Sequence, residues 1–311
     1  MRELRRCDTR CPSSVDDPAT ESSPTPERSY SRSGNQFLAE GMKAQTTNRS
    51  RWVAAAVFVI AVHAPVYAQV SQSEDPLPWV GLYEPHADDE MPYRLMSPTG
   101  FDPSELYPVI VSLHGGGGRG TDNRRQLRIW NRLLAEEHRR SAYPSYVLAP
   151  QTTRLWDAAH LEKIKAIIAS LPSADMDRLY ILGHSMGGHG TFVLLQHDPG
   201  YFAAAVPSAG TGKDIHPEFI DPSVIKDIPI WAFHGDKDTV CPYPRAKKLL
   251  DEMKRLSGNM RLTTWEGDGH GVGGKFVSGG ENGTTRCSSD RCDEEPDTLK
   301  WLFSQSLSAR E

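Results

Sequence analysis

Cysteine is scarce in this chain, five residues in 311. Only Cys241, Cys287 and Cys292 fall outside the first 68 residues, so a metal site built from four cysteines is excluded by count. No apolar run approaches the ~20 residues that a spanning helix needs. No block of Lys and Arg interrupts the part with globular composition. The net charge of −5 is spread with both signs interspersed, so nucleic acid is not an expected partner. The phosphate-loop spacing Gly-x-x-x-x-Gly-Lys-Ser/Thr is absent. The one glycine run is followed neither by a lysine nor by the acidic residue of a dinucleotide site, and no cofactor or metal is expected. No internal repeat is visible. What remains is an ordinary soluble composition, long enough for one large domain or two small ones.

Residues 1–41 are rich in Ser, Pro, Arg and Thr without apolar periodicity, and such a segment cannot bury enough surface to offset its ordering entropy. A different text starts at Met42: Lys43, Arg49 and Arg51, an apolar run over 52–62, then Ala64-Pro65-Val66-Tyr67-Ala68. A positive start, a short apolar stretch and a small-residue exit describe an export signal over 42–68, cut after Ala68. The expectation is a periplasmic or extracellular protein with no stable membrane span after cleavage; the competing reading is an uncleaved anchor. Residues 1–41 then read as a disordered leader or an over-extended start, and 69–90 as an extension before a domain over 91–311. Export would permit Cys287 and Cys292, in a Gly/Ser/Asn-rich stretch, to close a small ring with Cys241 left free.

From residue 91 the periodicity alternates. An edge strand is expected over 91–96. Residues 108–113, Pro-Val-Ile-Val-Ser-Leu, form the near-continuous apolar run of a strand buried on both faces. Further strands are expected over 146–149, 179–182, 203–206, 228–233 and 261–265. Helices are expected over 126–140, 158–170, 243–256 and 297–307. Strands alternating with helices predict an α/β fold, a mostly parallel central sheet with helices on both faces.

One stretch carries chemistry: Leu-Tyr-Ile-Leu-Gly-His-Ser-Met-Gly-Gly over 179–188. A strand stops at Gly183, Ser185 stands at the apex, and a helical pattern begins after Gly187. The spacing Gly-x-Ser-x-Gly suits a strained turn that lifts a hydroxyl above the sheet, with space only for glycine on either side. Such a serine needs a base to take its proton and an acid to orient that base. Catalytic groups in such folds gather at the carboxyl ends of strands. Asp236 and Asp238 follow one late strand; Asp268 and His270 follow the next.

In these pieces the chain resembles the α/β-hydrolases, and within them the esterase branch of feruloyl-esterase-like, polyhydroxybutyrate-depolymerase-like and "predicted peptidase" proteins. The matching residues are Tyr93-Arg94-Leu95, Tyr107-Pro108, the His114 glycine loop with Gly120-Thr121-Asp122-Asn123, and Gly183-His184-Ser185-Met186-Gly187-Gly188. His234-Gly235-x-x-Asp238-x-x-Cys241 and Gly269-His270 complete the set. The resemblance implies Ser185 as nucleophile, His270 as base and Asp238 as the orienting acid, with Asp236 a turn residue and Asp268 too near His270. It further implies an α/β-hydrolase fold; many relatives insert a helical cap, but the short interval 206–228 leads us to expect no large cap domain here. The oxyanion donors expected are the N–H groups of Met186 and Gly116. His114, His184, His189 and His234 read as structural.

The interval between 206 and 228 is too short for a helical cap, so an open cleft is expected. The stretch 271–295 reads as a long loop able to rim the pocket. The function expected is a secreted carboxylesterase-like serine hydrolase acting on a small-molecule or polymer-borne ester. Alternatives are a serine peptidase of prolyl-oligopeptidase-like type and a non-catalytic binding module that keeps the fold.

Overall fold

A computed structural model of the chain describes residues 77–87, 91–211 and 220–310. The leader and signal segments expected over 1–68 lie outside the described residues. A single nine-stranded sheet organises the rest. In chain order the elements are β1 (Glu84–Ala87), β2 (Pro92–Met96), β3 (Tyr107–Leu113), α1 (Ile129–Leu134), α2 (Glu137–Ala142), β4 (Tyr146–Pro150), α3 (Ala158–Ser170), β5 (Ala174–His184) and α4 (Met186–His197). They continue with β6 (Ala204–Ser208), α5 (Pro222–Ile225), β7 (Ile230–Gly235), α6 (Tyr243–Arg255), β8 (Met260–Trp265), α7 (Lys275–Ser278), β9 (Gly283–Cys287) and α8 (Thr298–Phe303).

The sheet runs β1-β2-β4-β3-β5-β6-β7-β8-β9. Its six inner strands, β4 to β8 in that order, pair in parallel, while β1, β2 and β9 are antiparallel additions. All seven residues of β3 are buried, as are all residues of β6, β7 and β8. That is the cause of their continuous apolar runs: a parallel strand covered on both faces has no solvent side on which to alternate. Successive residues then feed two cores. Val109, Val111 and Ile181 pack with α3 and α6 through Ile164, Ile168, Leu249 and Met253. Ile110, Tyr180 and Leu182 join the other face, where Trp130 of α1, Phe276 of α7 and Trp301 of α8 lie.

Four expectations need correction. The sheet starts before Met91: β1 pairs outside β2, so β2 is not the edge, and Tyr83 just before β1 is fully buried. The helix expected over 126–140 is two short ones, because the chain leaves the α-conformation at Glu136 to start α2. The stretch 271–295 is not structureless. It contains α7 and β9, the latter mostly exposed and paired with β8 from Arg261↔Cys287 to Trp265↔Gly283. Alternation was hidden there because an edge strand with little burial needs no apolar face. Finally, Cys287 and Cys292 are thiols rather than a bonded pair, and Cys241 is buried and outside any disulfide.

Candidate active site

The site stands at the carboxyl ends of β3, β5, β7 and β8. Ser185 occupies the turn between β5 and α4 with φ 60° and ψ −120°, a region costly for a residue with a side chain. Close packing beneath enforces it. A Cβ on Gly183 would sit 2.5 Å from the Gly187 carbonyl oxygen, and one on Gly187 would sit 2.2 Å from that of Leu113. The Ser185 N–H donates to the Ser208 carbonyl of β6 (2.9 Å) and fixes the turn from the other side.

From neighbouring strand ends come the partners. Ser185 Oγ is 2.8 Å from His270 Nε2, and His270 Nδ1 is 2.8 Å from Asp238 Oδ2. Asp238 Oδ1 accepts N–H groups from Val240 (2.8 Å) and Cys241 (2.9 Å), and its side chain is fully buried. Burial alone would push this carboxyl up; hydrogen bonds from His234, His270 and Cys241 outweigh it and hold the group well below the usual carboxylate range. An ionised carboxylate only accepts, so His270 Nδ1 carries the proton and Nε2 is left to accept from the serine hydroxyl.

Other predicted residues fall around this line. Asp236 accepts the Gly267 N–H at 2.7 Å, a turn contact, and Asp268 pairs with Lys275. His234 Nε2 lies 2.7 Å from the Cys241 carbonyl and 3.3 Å from Asp238 Oδ2, bracing the acid's loop. His114 Nε2 accepts the Thr152 N–H at 3.1 Å, and burial pushes its imidazole down to about 4. His184 turns its Nδ1 to Ser208 Oγ (3.0 Å), with its ring 4.9 Å from that of His270. Burial, reinforced by His270, pushes it down to about 3. A neutral neighbour is what a base that must become cationic requires.

The glycine loop lies against the serine: a Cβ on Gly115 would be 3.4 Å from Ser185 Cβ. Gly118 and Arg119 donate back to Gly115 and Gly116, so the Gly116 N–H opens the turn without an acceptor in it. Met186, the first residue of α4, likewise has no intrahelical acceptor. Two N–H groups at such turn starts can bind a developing anion. Among the described residues no group of three or more His, Cys, Asp or Glu is arranged to hold a metal ion, and no helix is long and apolar enough to cross a membrane.

Residues 116–284 match the family model for the dienelactone hydrolase family. The chain belongs to that family. It therefore has the fold of the α/β-hydrolase superfamily, and the resemblance read from its motifs holds. Among solved structures it is similar to a thermostable esterase at 31% identity, with 73% of this chain and 64% of that one covered and a TM-score of 0.55. The chain thus spans less than two thirds of that esterase. Est1E from Butyrivibrio proteoclasticus (19% identity, 60% of this chain and 90% of that one, TM-score 0.43) is a more distant likeness. So is an acylaminoacyl peptidase of Pyrococcus horikoshii (17%, 61% and 38%, TM-score 0.46).

Sequence reasoning missed one feature of the site's surroundings. Averaged charge hid five arginines over 119–132, Arg119, Arg124, Arg125, Arg128 and Arg132, against the single acid Asp122. A windowed charge count would have found them.

Proposed function

We propose that this hydrolase cleaves carboxylic esters through an acyl-enzyme on Ser185. The observation that carries the reading is the unbroken chain of two 2.8 Å contacts from Asp238 through His270 to Ser185 Oγ. Ser185 Oγ attacks the ester carbonyl while His270 Nε2 takes its proton. Asp238 keeps the imidazole in the required tautomer and stabilises its charged form. The N–H groups of Met186 and Gly116 receive the oxyanion; a single such donor typically contributes ~3 kcal/mol. Collapse of the tetrahedral intermediate releases the alcohol, protonated by His270. Water activated by the same imidazole then frees the acid and restores Ser185.

Esters rather than amides are favoured by the likeness to the thermostable esterase at 31% identity. The protein is further read as exported, with cleavage after Ala68; N-terminal sequencing of secreted material checks this. The decisive test is turnover of p-nitrophenyl acetate and butyrate by the chain without residues 1–68, against Ser185→Ala. Equal rates end the proposal, and failure of a fluorophosphonate to label Ser185 favours the binding module.

A further inference from the structure

Gln151, the residue directly after β4, carries a side-chain amide that is buried against the glycine loop; the residue is 1% exposed. Its Nε2 donates to the Gly118 carbonyl (3.1 Å) and to Asp122 Oδ1 (2.8 Å), and its Oε1 accepts the Asn123 N–H (2.6 Å). One amide thus ties down the loop from Gly118 to Asn123. Asp122 fixes which way that amide faces. Its Oδ1 also accepts the N–H groups of Arg124 (3.0 Å) and Arg125 (3.1 Å), and the bond from Gln151, foremost among these, holds the carboxyl down to about 2. An ionised carboxylate only accepts, so the NH2 end of Gln151 must face it.

Gly118 passes the constraint on. Its N–H donates to the Gly115 carbonyl at 2.9 Å, and a Cβ on it would stand 2.6 Å from the His114 ring, so it is pressed against that imidazole. His114 Nε2 accepts the Thr152 N–H, which leaves the imidazole proton on Nδ1, and Nδ1 donates to the same Gly115 carbonyl at 2.8 Å. Two donors therefore fix this carbonyl. In a trans peptide the N–H lies opposite the C=O, so the pair also sets the direction of the Gly116 N–H. Gly116 itself is exposed, and a Cβ on it would meet nothing within 4 Å. Its orientation depends on the scaffold behind it.

We infer that Gln151 is a positioning residue for the reaction: through Gly118 and Gly115 it aims the Gly116 N–H at the oxyanion, and Asp122 keeps its amide in the working orientation. The inference rests on attack by Ser185 with Gly116 as an oxyanion donor, and turnover by the unmodified protein reports on that reading separately. The side-chain hydrogen bonds of Gln151 end on the loop and leave Ser185, His270 and Asp238 alone. A misdirected N–H loses a contact made only with the developing oxyanion, so kcat falls while KM does not.

The test measures p-nitrophenyl butyrate turnover and inhibition by hexyl trifluoromethyl ketone in the unmodified protein, Q151M and D122A. In the inhibited enzyme Ser185 Oγ bonds to the ketone carbon, its proton passes to His270, and the carbonyl electron pair moves onto oxygen as an oxyanion. Q151M keeps the length of the side chain without its donors. It is expected to lower kcat about 10- to 100-fold, less than the loss of about 10²- to 10³-fold for a deleted donor, with KM within about 3-fold. The inhibition constant should rise by the factor by which kcat/KM falls, and the pH profile should keep its shape because the triad is untouched. D122A, at an exposed residue, frees the amide to turn and is expected to lower kcat about 3- to 10-fold. Unchanged kcat in a folded Q151M overturns the inference; if Q151M does not fold, unchanged kcat in D122A does so. A raised KM with kcat kept, an inhibition constant that does not move, or a pH profile displaced along with kcat also overturns it, since each puts the damage elsewhere. Absence of turnover by the unmodified protein would instead sink the nucleophile reading.

Discussion

The turn between β5 and α4 and the outer edge formed by β8, α7 and β9 both border His270, yet they are held by different forces. In the turn, backbone packs on backbone: Gly183 and Gly187 leave no volume for one more carbon against the Gly187 and Leu113 carbonyls. At the edge the contacts are between side chains. Lys275 bridges Asp268 and Asn282, Thr263 meets Thr285 at 2.7 Å, and Arg261 stacks 3.3 Å over the Trp231 ring. A hollow of about 440 Å³ remains beside them, lined by Trp231, Trp265, Thr285 and Cys287 among others. Close-packed backbone cannot yield, whereas long side chains can find other rotamers. The turn is therefore a precise support for one hydroxyl, and the edge a tolerant cover.

The sharpest way to probe the turn is chemical. Ser185→Ala is expected to lower kcat on p-nitrophenyl butyrate by more than about 10³-fold, and Asp238→Asn by about 10³- to 10⁴-fold through the wrong imidazole tautomer. Both should keep the unmodified melting temperature within a few degrees. A mutant that loses activity only because it melts would break the distinction between supporting frame and reacting groups.

Next in size is steric. Gly187→Ala must displace backbone at Leu113 and is expected to cost about 3 kcal/mol or more, seen as lost soluble yield or a large fall in Tm. Gly271→Ala at the edge side, with nothing within 4 Å of the new carbon, should change stability by less than about 0.5 kcal/mol. Equal effects at the two positions would refute the contrast.

Acid and alkali should also separate the regions. His114 and His184 titrate near 4 and 3 in the fold, below the ordinary 6.5 of an unfolded imidazole. Between those values the unfolded chain binds more protons, so stability is full above about pH 6.5 and is lost as pH falls toward 4. At the edge, burial pushes the Cys287 thiol up to about 11 from an ordinary 9. There the folded chain keeps a proton that the unfolded one has released, and stability falls as pH rises from 9 toward 11. Melting scans from pH 4 to 10.5 should show both losses. His114→Gln should flatten the acid limb, and Cys287→Ser the alkaline one.

The smallest expected effect is Lys275→Met. It removes a part-exposed ion pair and should cost under about 1 kcal/mol, with a Tm change of a few degrees at most. A larger loss would mean that the edge is as rigid as the turn.

Legibility in the sequence follows the same division. β3, β7 and β8 were readable because burial on both faces leaves an apolar run that no loop would carry. The serine turn was readable because its glycines stand at a fixed spacing around Ser185, although the Leu113 carbonyl that Gly187 answers to lies far off in the chain. β1 and β9 were not, since short exposed strands acquire their conformation from the neighbour they pair with. The break between α1 and α2 also escaped detection, as no proline or glycine marks it. The contact of Arg119 with Met186, which joins residues 67 apart beside the nucleophile, was not readable either.

By itself the amino-acid order determined the alternation of strands and helices, the turn that bears Ser185, and which residues could serve as acid and base. Those are matters of local sterics and periodicity, written over spans of a few residues. Only the tertiary structure decided that groups 32 and 85 residues apart meet at 2.8 Å. It also decided that an exposed strand closes the sheet beside them and that Arg119 lies against Met186, the residue after the nucleophile. Convergence of that kind depends on how strands are ordered across a sheet, which no short window of residues contains.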